Sequence, residues 1–364
     1  MLQIFKSWSL HRQYQILTLI FLLVIINGCS TNTDPSKQLN TAGVYSSKDL
    51  SNLQINELNS NNNYIYAGTE SGLYRLNRHS DGTNWQLMGL PEKNILDFVV
   101  WNNQKLLVGT SIDSSKDTSI YFTNTASKSW QPYQNGFGTA EQNNHLFVIE
   151  KHPDNSQKLF ARGDFNVAVS SDSGQSWKNI YGNWDGFGGG YFLTISQFNP
   201  QVIWGGGVNA NFQPHLFKSS DGGSSWKDIR IIENVETTIH DLIIHPQKTT
   251  HILAGTAGGF ASANLIRKST DGGETWKTVL EGINTRTFTH SADNPEWVYA
   301  SGRNTDGSLF FVASGDFGES WETIEWDDSP AGVQINDMVS VMEDGQEVLY
   351  FGTNQGVFSY TFSD

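Results

Sequence analysis

The sequence is poor in charge and in cysteine. Charged residues make up 16% of its 364 residues, well below the roughly 25% of an average soluble protein, which excludes a charge-rich disordered chain or a coiled coil. The single cysteine excludes an internal disulfide, a cysteine-rich zinc site and a CxxC redox pair. Only 23 Lys and Arg oppose 37 Asp and Glu, so the net charge is −14. This acidity argues against nucleic acid as a partner.

Helical periodicity and long apolar runs are also missing. No stretch after residue 40 keeps an apolar period of 3.6 residues, so we expect almost no helix. The apolar stretch at residues 16–26 is too short for the roughly 20 residues that cross a bilayer as a helix. Instead, the chain has 12% aromatic residues and 35 glycines, a composition that favours short strands joined by glycine turns.

The first 28 residues have the pattern of a secretory leader. Lys6 and Arg12 precede the apolar stretch without an acidic residue, as in the basic and apolar regions of a signal peptide. The stretch ends in Ile-Asn-Gly-Cys29, which resembles the lipoprotein box of bacterial lipoproteins. The resemblance implies that Cys29 becomes the first residue of the mature chain and is acylated. Two or more acyl chains give stable membrane anchoring.

Residues 29–40 are polar and turn-rich, so they predict a flexible tether between Cys29 and a folded domain at residues 41–364. By the same resemblance, Ser30 directly after the cysteine argues against retention in the inner membrane of a Gram-negative cell. We therefore expect a monomer in the cell envelope that is anchored to the membrane through acylated Cys29. In a Gram-negative cell this would be the outer membrane.

A sequence repeat occupies the predicted domain. Four segments share the pattern S-x-D-x-G-x-[ST]-W without gaps, beginning at residues 170, 219, 269 and 314. Two weaker copies precede them, and the six tryptophans recur 45 to 50 residues apart, at positions 85, 130, 177, 226, 276 and 321. Each unit contains four short strand-like runs. Four strands in a repeat of roughly 40–50 residues are typical of a propeller blade rather than a solenoid.

A second repeated pattern gives the number of blades. Aliphatic or aromatic runs that end in Gly-Thr or a near equivalent occur seven times, at 64–69, 106–110, 159–163, 202–206, 252–256, 298–302 and 349–353. The sequence therefore predicts an all-β, seven-bladed propeller with strands A to D in each blade. The last unit has no room for strand D before residue 364, so we expect residues 42–46 to supply it. This closure would hide a sheet edge.

The repeated pattern is the Asp-box, or BNR repeat, and we interpret its residues as structural. Serine, aspartate and glycine at alternate positions suit a hairpin turn between strands C and D, where the carboxylate accepts backbone N–H groups and glycine supplies a positive φ. The tryptophan then packs between neighbouring blades. Identical residues one blade apart point outward and cannot converge on one substrate. The residues of this structural set are Asp172, Asp221, Asp271, Asp316, Trp177, Trp226, Trp276 and Trp321.

The D–A and B–C connections share the opposite face, which we call the top face, and loops on a rigid scaffold often carry function. These loops place aromatic rings beside Asp, Asn and Arg, a combination that suits a sugar ring or a peptide segment. The alternative is that the aromatic rings merely fill the funnel. The candidate ligand-binding residues are Arg162, Trp184, Asp185, Phe187, Tyr191, Phe212, Arg303 and Trp326. We expect no metal, because the nine histidines show no paired spacing, and no cofactor.

Over residues 55–360 the chain resembles the Asp-box propellers, which include sialidases, xyloglucanase-type glycoside hydrolases, the sortilin luminal domain and the photosystem II stability/assembly factors. The assembly factors are most similar in size, blade number and single-ring form, but this resemblance implies an arginine-rich patch, whereas this chain is acidic. The Tyr/Phe-Arg-Ile-Pro motif of sialidases is absent, and the expected top-face arginines are scattered: Arg162, Arg286 and Arg303. Xyloglucanases use two rings, and sortilin has ten blades.

The resemblance leaves two functional hypotheses. The first is a non-enzymatic, lipid-anchored propeller whose top face binds a protein or glycan of the envelope, in a scaffold, assembly or adhesion role. The alternative is a sialidase-like or xyloglucanase-like glycoside hydrolase that acts through the top-face carboxylates Asp164, Asp185 and Asp306. Such an enzyme needs two carboxyl groups about 5–5.5 Å or about 6.5–9.5 Å apart in a common groove.

Overall fold

A computed structural model describes most of the predicted domain. The predicted leader at residues 1–28 and the tether at 29–40, including Cys29, lie outside the described residues. The described residues are 43–79, 84–111, 119–124, 129–133, 136–137, 146–163, 166–182, 189–209, 211, 213–231, 237–258 and 264–362.

All regular elements in these residues are β-strands, which confirms the all-β prediction. The second strand of each blade has little but apolar and small residues, as in the run Ile252–Ala257, and five of these six residues are buried. Such a strand is covered on both faces by neighbouring blades, so its sequence is a continuous apolar run rather than an alternating one. Among the described residues, no helix is long and apolar enough to cross a membrane.

The strands form seven four-stranded antiparallel sheets, which are the seven predicted blades of a propeller ring. Blade one contains β2 (Ile55–Ser60), β3 (Tyr64–Thr69), β4 (Gly72–Asn77) and β5 (Gln86–Gly89). Blade two contains β6 (Ile95–Val100), β7 (Leu106–Thr110), β8 (Ile120–Thr123) and β9 (Gln131–Pro132). Blade three contains β10 (Val148–Lys151), β11 (Leu159–Arg162), β12 (Asn166–Ser170) and β13 (Lys178–Gly182). Blade four contains β14 (Gly189–Ile195), β15 (Ile203–Val208), β16 (Pro214–Ser219) and β17 (Lys227–Ile229). Blade five contains β18 (Thr238–Ile244), β19 (Ile252–Ala257), β20 (Leu265–Ser269) and β21 (Lys277–Glu281). Blade six contains β22 (Ile283–His290), β23 (Val298–Asn304), β24 (Leu309–Ser314) and β25 (Glu322–Thr323).

Blade seven combines the two ends of the domain. It contains β26 (Ile335–Glu343), β27 (Gln346–Thr353), β28 (Gly356–Phe362) and β1 (Gly43–Ser47). The N-terminal strand β1 pairs antiparallel with β28, with Tyr45 opposite Tyr360, and becomes the outermost strand of the sheet. The predicted closure is therefore present, within one residue of the expected segment.

Large aromatic rings fill the spaces between blades. Trp204 of blade four is fully buried, and its ring meets Trp276 of blade five edge-on, with centroids 6.2 Å apart. Trp177 of blade three belongs to a buried cluster that contains Leu107 and Phe122 of blade two. Each such ring thus packs across a boundary between neighbouring blades, and truncating a ring of this size in a core costs roughly 3–5 kcal/mol.

The hairpins between the third and fourth strands of blades three to six share one hydrogen-bond pattern. In blade five, the Ser269 hydroxyl donates to Asp271 Oδ1 at 2.8 Å and accepts the N–H of Gly273 at 2.8 Å. Asp271 also accepts the backbone N–H of Thr275 at 2.9 Å. The side-chain hydroxyl of Thr275 lowers the pKa of Asp271 to about 2. The same bonds recur around Asp172, Asp221 and Asp316.

Replacing Ser269 with alanine should destabilise the ring. Ser269 is 1% exposed, so Ser269→Ala leaves the buried N–H of Gly273 without its acceptor, at a cost of about 1–2 kcal/mol in the free energy of unfolding. Urea denaturation measures the loss. The matched control is Ser224→Ala in the blade-four hairpin, where the hydroxyl is exposed and donates only to the carbonyl of Asp221. Equal stability losses in the two variants would contradict this role of the serine.

Candidate functional site

The first strands of all seven blades surround a central cavity of about 900 Å³. It extends along these strands from their beginnings at the top face to the turns at the opposite face. In blade one, for example, its wall runs from Asn56 to Asn61. Because the hairpins containing Asp172, Asp221, Asp271 and Asp316 connect third to fourth strands, strand direction places them at the face opposite the top.

In most blades a shift in strand register directs one side chain into the top end of this cavity. In six of the seven described blades, the pairing of the first and second strands skips one residue near the start of the first strand. An extra residue of this kind bends the strand and redirects its side chain. All six skipped residues line the cavity: Asn56, Leu96, Tyr191, His240, Arg286 and Asn336.

Three of these residues come from consecutive blades and form one surface. Tyr191 is 45% exposed, and its ring lies against His240 with centroids 4.7 Å apart. Arg286 follows in blade six, and partial burial of its guanidinium together with the neighbouring charge of Arg303 lowers its pKa. Burial lowers the pKa of His240 to about 4, so this histidine is neutral at neutral pH. The positive charge of this surface therefore comes from Arg286 and from its neighbour Arg303.

Below the mouth, the cavity wall is acidic. Three carboxylates are bound by backbone N–H groups of the next blade: Leu58 N donates to Asp337, Ile149 N to Asp97, and Phe288 N to Asp241, at distances of 2.7, 2.6 and 2.7 Å. Glu57 and Glu150 also line the cavity. The described residues contain no group of three or more His, Cys, Asp or Glu side chains that could hold a metal ion.

Burial in the cavity raises the pKa of every one of these five carboxyl groups, and repulsion from neighbouring carboxylates raises the pKa of Glu57, Asp97, Glu150 and Asp241 further. The pKa is about 6 for Asp337, about 7 for Asp97 and Asp241, about 8 for Glu150, and well above the usual value for Glu57. The hydrogen bonds from the neighbouring blades act in the opposite direction on the three aspartates. At neutral pH the central cavity, which we also call the channel, therefore holds a mixture of protonated and ionised carboxyl groups.

The predicted site residues do not all reach one place. Tyr191 lies at the mouth, and Arg303 lines a side pocket of about 80 Å³ that it shares with Arg286 and His240. Trp326 lines a different cavity, at the outer edge of blade seven. Asp164, Trp184, Asp185, Phe187 and Phe212 lie outside the described residues.

Two predicted residues have surroundings that do not suit the roles expected from the sequence. Arg162 is 1% exposed, with its guanidinium 4.8 Å from the ring centroid of Phe217, so it packs between blades three and four. This corrects the expectation that it contacts ligand at the surface. Asp306 lies in the β23–β24 turn, where the hydroxyl of Ser308 donates at 2.6 Å and lowers its pKa. A general acid needs the opposite shift.

The sequence interpretation missed His240 and the channel carboxylates. A signal for them exists, because an Ile-x-Asp or Ile-x-Glu triplet begins at Ile55, Ile95, Ile239 and Ile335. The middle residue of each triplet is the skipped one, and the acidic residue enters the channel. These triplets therefore mark, in the sequence, both the skipped residues at the mouth and the carboxylates below them.

Replacing Glu150 with glutamine should stabilise the protein at alkaline pH. Folding raises the pKa of Glu150 from 4.5 to about 8, so the folded state holds this proton over a pH range in which the unfolded state has lost it. Stability from this group is present below pH 4.5 and is lost as pH rises through about 8. Glu150→Gln should therefore raise the melting temperature by several degrees at pH 8.5 and hardly change it at pH 4.5.

Thermal denaturation across this pH range measures the difference. Glu281→Gln, which changes an exposed carboxylate on the outer strand β21, is the control and should leave the pH profile unchanged. A Glu150→Gln profile parallel to that of the unmodified chain would contradict the raised pKa.

Comparison with solved structures identifies the fold at low sequence identity. A GH74 xyloglucanase from Xanthomonas campestris superposes with a TM-score of 0.65 and 13% identity over 87% of this chain and 53% of that chain. YCF48 bound to D1 peptide gives a TM-score of 0.60 and 13% identity over 88% and 97%. The extracellular domain of a putative one-component system from B. thetaiotaomicron gives 0.61 and 12% over 87% and 39%. These likenesses show the propeller fold alone.

This chain spans about half the length of the xyloglucanase but nearly all of the YCF48 chain. No curated protein matches the sequence. The profile of the Sortilin-Vps10 family, described as sortilin, neurotensin receptor 3, matches residues 165–347. These residues are just over half of the 364 in the sequence. The chain therefore belongs to the Sortilin-Vps10 family of β-propellers.

Proposed function

We propose that this propeller is a non-enzymatic binding protein of the cell envelope, and that its top face binds a carboxylate-bearing peptide segment of a partner protein. The observation that carries the proposal is the pair formed by Arg286, at the mouth of the central cavity, and Arg303, in the side pocket that it shares with Arg286. No described residue forms an ion pair or hydrogen bond with either guanidinium. A ligand anion would supply the missing charge.

The chemistry of the mouth suits a carboxylate. An arginine guanidinium presents paired N–H donors that match the two oxygens of a carboxylate. Burial, together with repulsion from Arg303, lowers the pKa of Arg286, and an anion between the two guanidinium groups would relieve that repulsion. Tyr191 offers an exposed ring next to this anion site, which suits an apolar or aromatic side chain beside the carboxylate.

Similar proteins support a peptide as the ligand. The solved YCF48 structure, which has the same fold, contains D1 peptide, and the family description names a neurotensin receptor. The predicted aromatic candidates Trp184, Phe187 and Phe212 belong to the same proposal, as additional contacts on the top face. A glycan that carries a uronic acid offers the same anionic group, and the experiment below separates it from a peptide.

A glycoside hydrolase is the second candidate. It is favoured by the raised pKa of Glu150, which suits a general acid, and by the shared fold with GH74 xyloglucanases. Against it, Asp97, Asp241 and Asp337 are engaged by the backbone of the next blade. Release of reducing sugar from xyloglucan or sialyl oligosaccharides, lost in Glu150→Gln, would favour the enzyme over the binding protein.

Peptide binding should depend on Arg286 and on a ligand carboxylate. The probes are a peptide library with free C-terminal carboxylates, the same library amidated, and a glycan array with neutral and uronic-acid members. We expect the carboxylate library to be preferred. Arg286→Ala should weaken its binding about tenfold or more, since a hydrogen bond between charged groups contributes about 1.5–3 kcal/mol.

The control is Lys178→Ala, which removes an exposed cation on the outer strand β13 and should leave the affinity unchanged. Exclusive binding of uronic-acid glycans would replace the peptide with a glycan as the ligand. Equal binding of the carboxylate and amide libraries would contradict the anion site itself.

We also propose that acylated Cys29 anchors the propeller to the membrane surface. The support is the lipoprotein-box resemblance at residues 26–29 and the polar segment 29–40 that follows. Cells that express the full chain and are fed an alkyne-tagged palmitate should label it, and Cys29→Ser should lose both the label and membrane association. Ser30→Ala is the matched control. Labelling that persists in Cys29→Ser would contradict the anchor.

A further inference from the structure

A second cavity, of about 420 Å³, lies at the outer edge of blade seven. One wall is the N-terminal strand β1, and the other is the segment 325–330, which leads from blade six into blade seven. The ring of Phe358 contributes to the floor. This cavity shares no lining residue with the central one, so it is separate from the proposed top-face site. We call it the seam cavity.

The strand beside the seam cavity is a sheet edge. β1 is the last strand of its sheet, and its outer side pairs with no described strand. It has five residues, as many as the outermost strands β13 and β21 and more than the two residues of β9 and β25. Val44 in its middle is 66% exposed. An exposed edge of this length can accept another strand through backbone hydrogen bonds.

The segment opposite this edge carries uncompensated negative charge. Glu325, Asp327 and Asp328 are all exposed and line the seam cavity. No described residue donates a hydrogen bond to these carboxylates or forms an ion pair with them. Three carboxylates next to a strand edge would attract lysine and arginine side chains and repel acidic ones.

The aromatic rings of the seam cavity argue against a sugar as its occupant. Tyr45 stacks on Trp326 with centroids 4.3 Å apart and planes 3° apart, so it covers one face of the indole. Phe358 meets Trp326 edge-on at 5.1 Å. A sugar normally binds by stacking on an open aromatic face, and here the rings pack against one another. They instead form an apolar floor beside the backbone groups of β1.

We propose that β1 is the docking strand for a basic, extended segment of a partner protein. The segment adds to blade seven as a fifth strand, with its backbone paired to β1 and its lysine or arginine side chains directed to Glu325, Asp327 and Asp328. Apolar side chains at alternate positions cover Val44. This interaction is independent of the proposed ligand at the top face.

The test uses the full chain and three synthetic octapeptides: alternating Lys-Val, alternating Glu-Val, and the Lys-Val peptide N-methylated at alternate residues in either register. Fluorescence anisotropy measures binding at low and high salt. We expect the Lys-Val peptide alone to bind, and its affinity to fall with salt. One of the two N-methylated registers should not bind, because it cannot pair with the edge.

Charge variants locate the interaction. Asp327→Asn with Asp328→Asn should weaken binding of the Lys-Val peptide about fivefold, as expected for two partly exposed ion pairs. The control pair Glu281→Gln with Glu322→Gln makes the same charge change on the outer strands β21 and β25 and should have no effect. Arg286→Ala should also leave this binding unchanged, which separates the seam from the top face.

Three results would overturn the proposal. One is equal binding of the Lys-Val and Glu-Val peptides. Another is full binding by both N-methylated registers, which would mean that the edge makes no backbone hydrogen bonds. The third is an equal loss of affinity in the control pair, which would mean that the net charge of −14, rather than the seam, attracts the peptide.

Discussion

The ring depends on bonds that join segments far apart in sequence, both near the axis of the ring and at its periphery. Near the axis, Asp337 of blade seven accepts the backbone N–H of Leu58 in blade one at 2.7 Å, and the amide of Asn336 donates to the carbonyl of Ile55 at 2.8 Å. At the periphery, β1 pairs with β28. Without these bonds the seven sheets would be an open array whose terminal blades expose unpaired faces and edges.

The acidity of the channel follows from this way of joining blades. A carboxylate that reaches the next blade's backbone must sit on an innermost strand, as Asp97 and Asp241 also do. Several such groups then face one another across the cavity, and burial with mutual repulsion raises their pKa. Raised values are often taken as signs of catalysis. Here the architecture accounts for them in the bonded aspartates.

The sequence predicted the parts of the fold that repeat. Hairpins at Ser219 and Ser269 share spacing and residue types, so the sequence predicted where these hairpins lie in each blade. The repeats also predicted the number of blades and the strand missing from the last unit. The site was harder to predict from the sequence, because a one-residue register shift at Tyr191 or Arg286 leaves no change in the spacing of the repeat. Arg162 was misplaced for a related reason: it is the last residue of β11, and its side chain is directed into the packing between blades.

Specificity in a repeat protein must arise where the structure repeats and the sequence does not. The serine–aspartate hairpins of blades three to six are nearly identical, and the same hydrogen bonds recur in each. The skipped residues, by contrast, occupy equivalent positions with different chemistry: a tyrosine in blade four, a histidine in blade five and an arginine in blade six. Their difference makes one sector of the mouth aromatic and cationic. Blade seven departs from the repeat in another way, because its outer strand comes from the other end of the domain and lies beside the acidic segment 325–330.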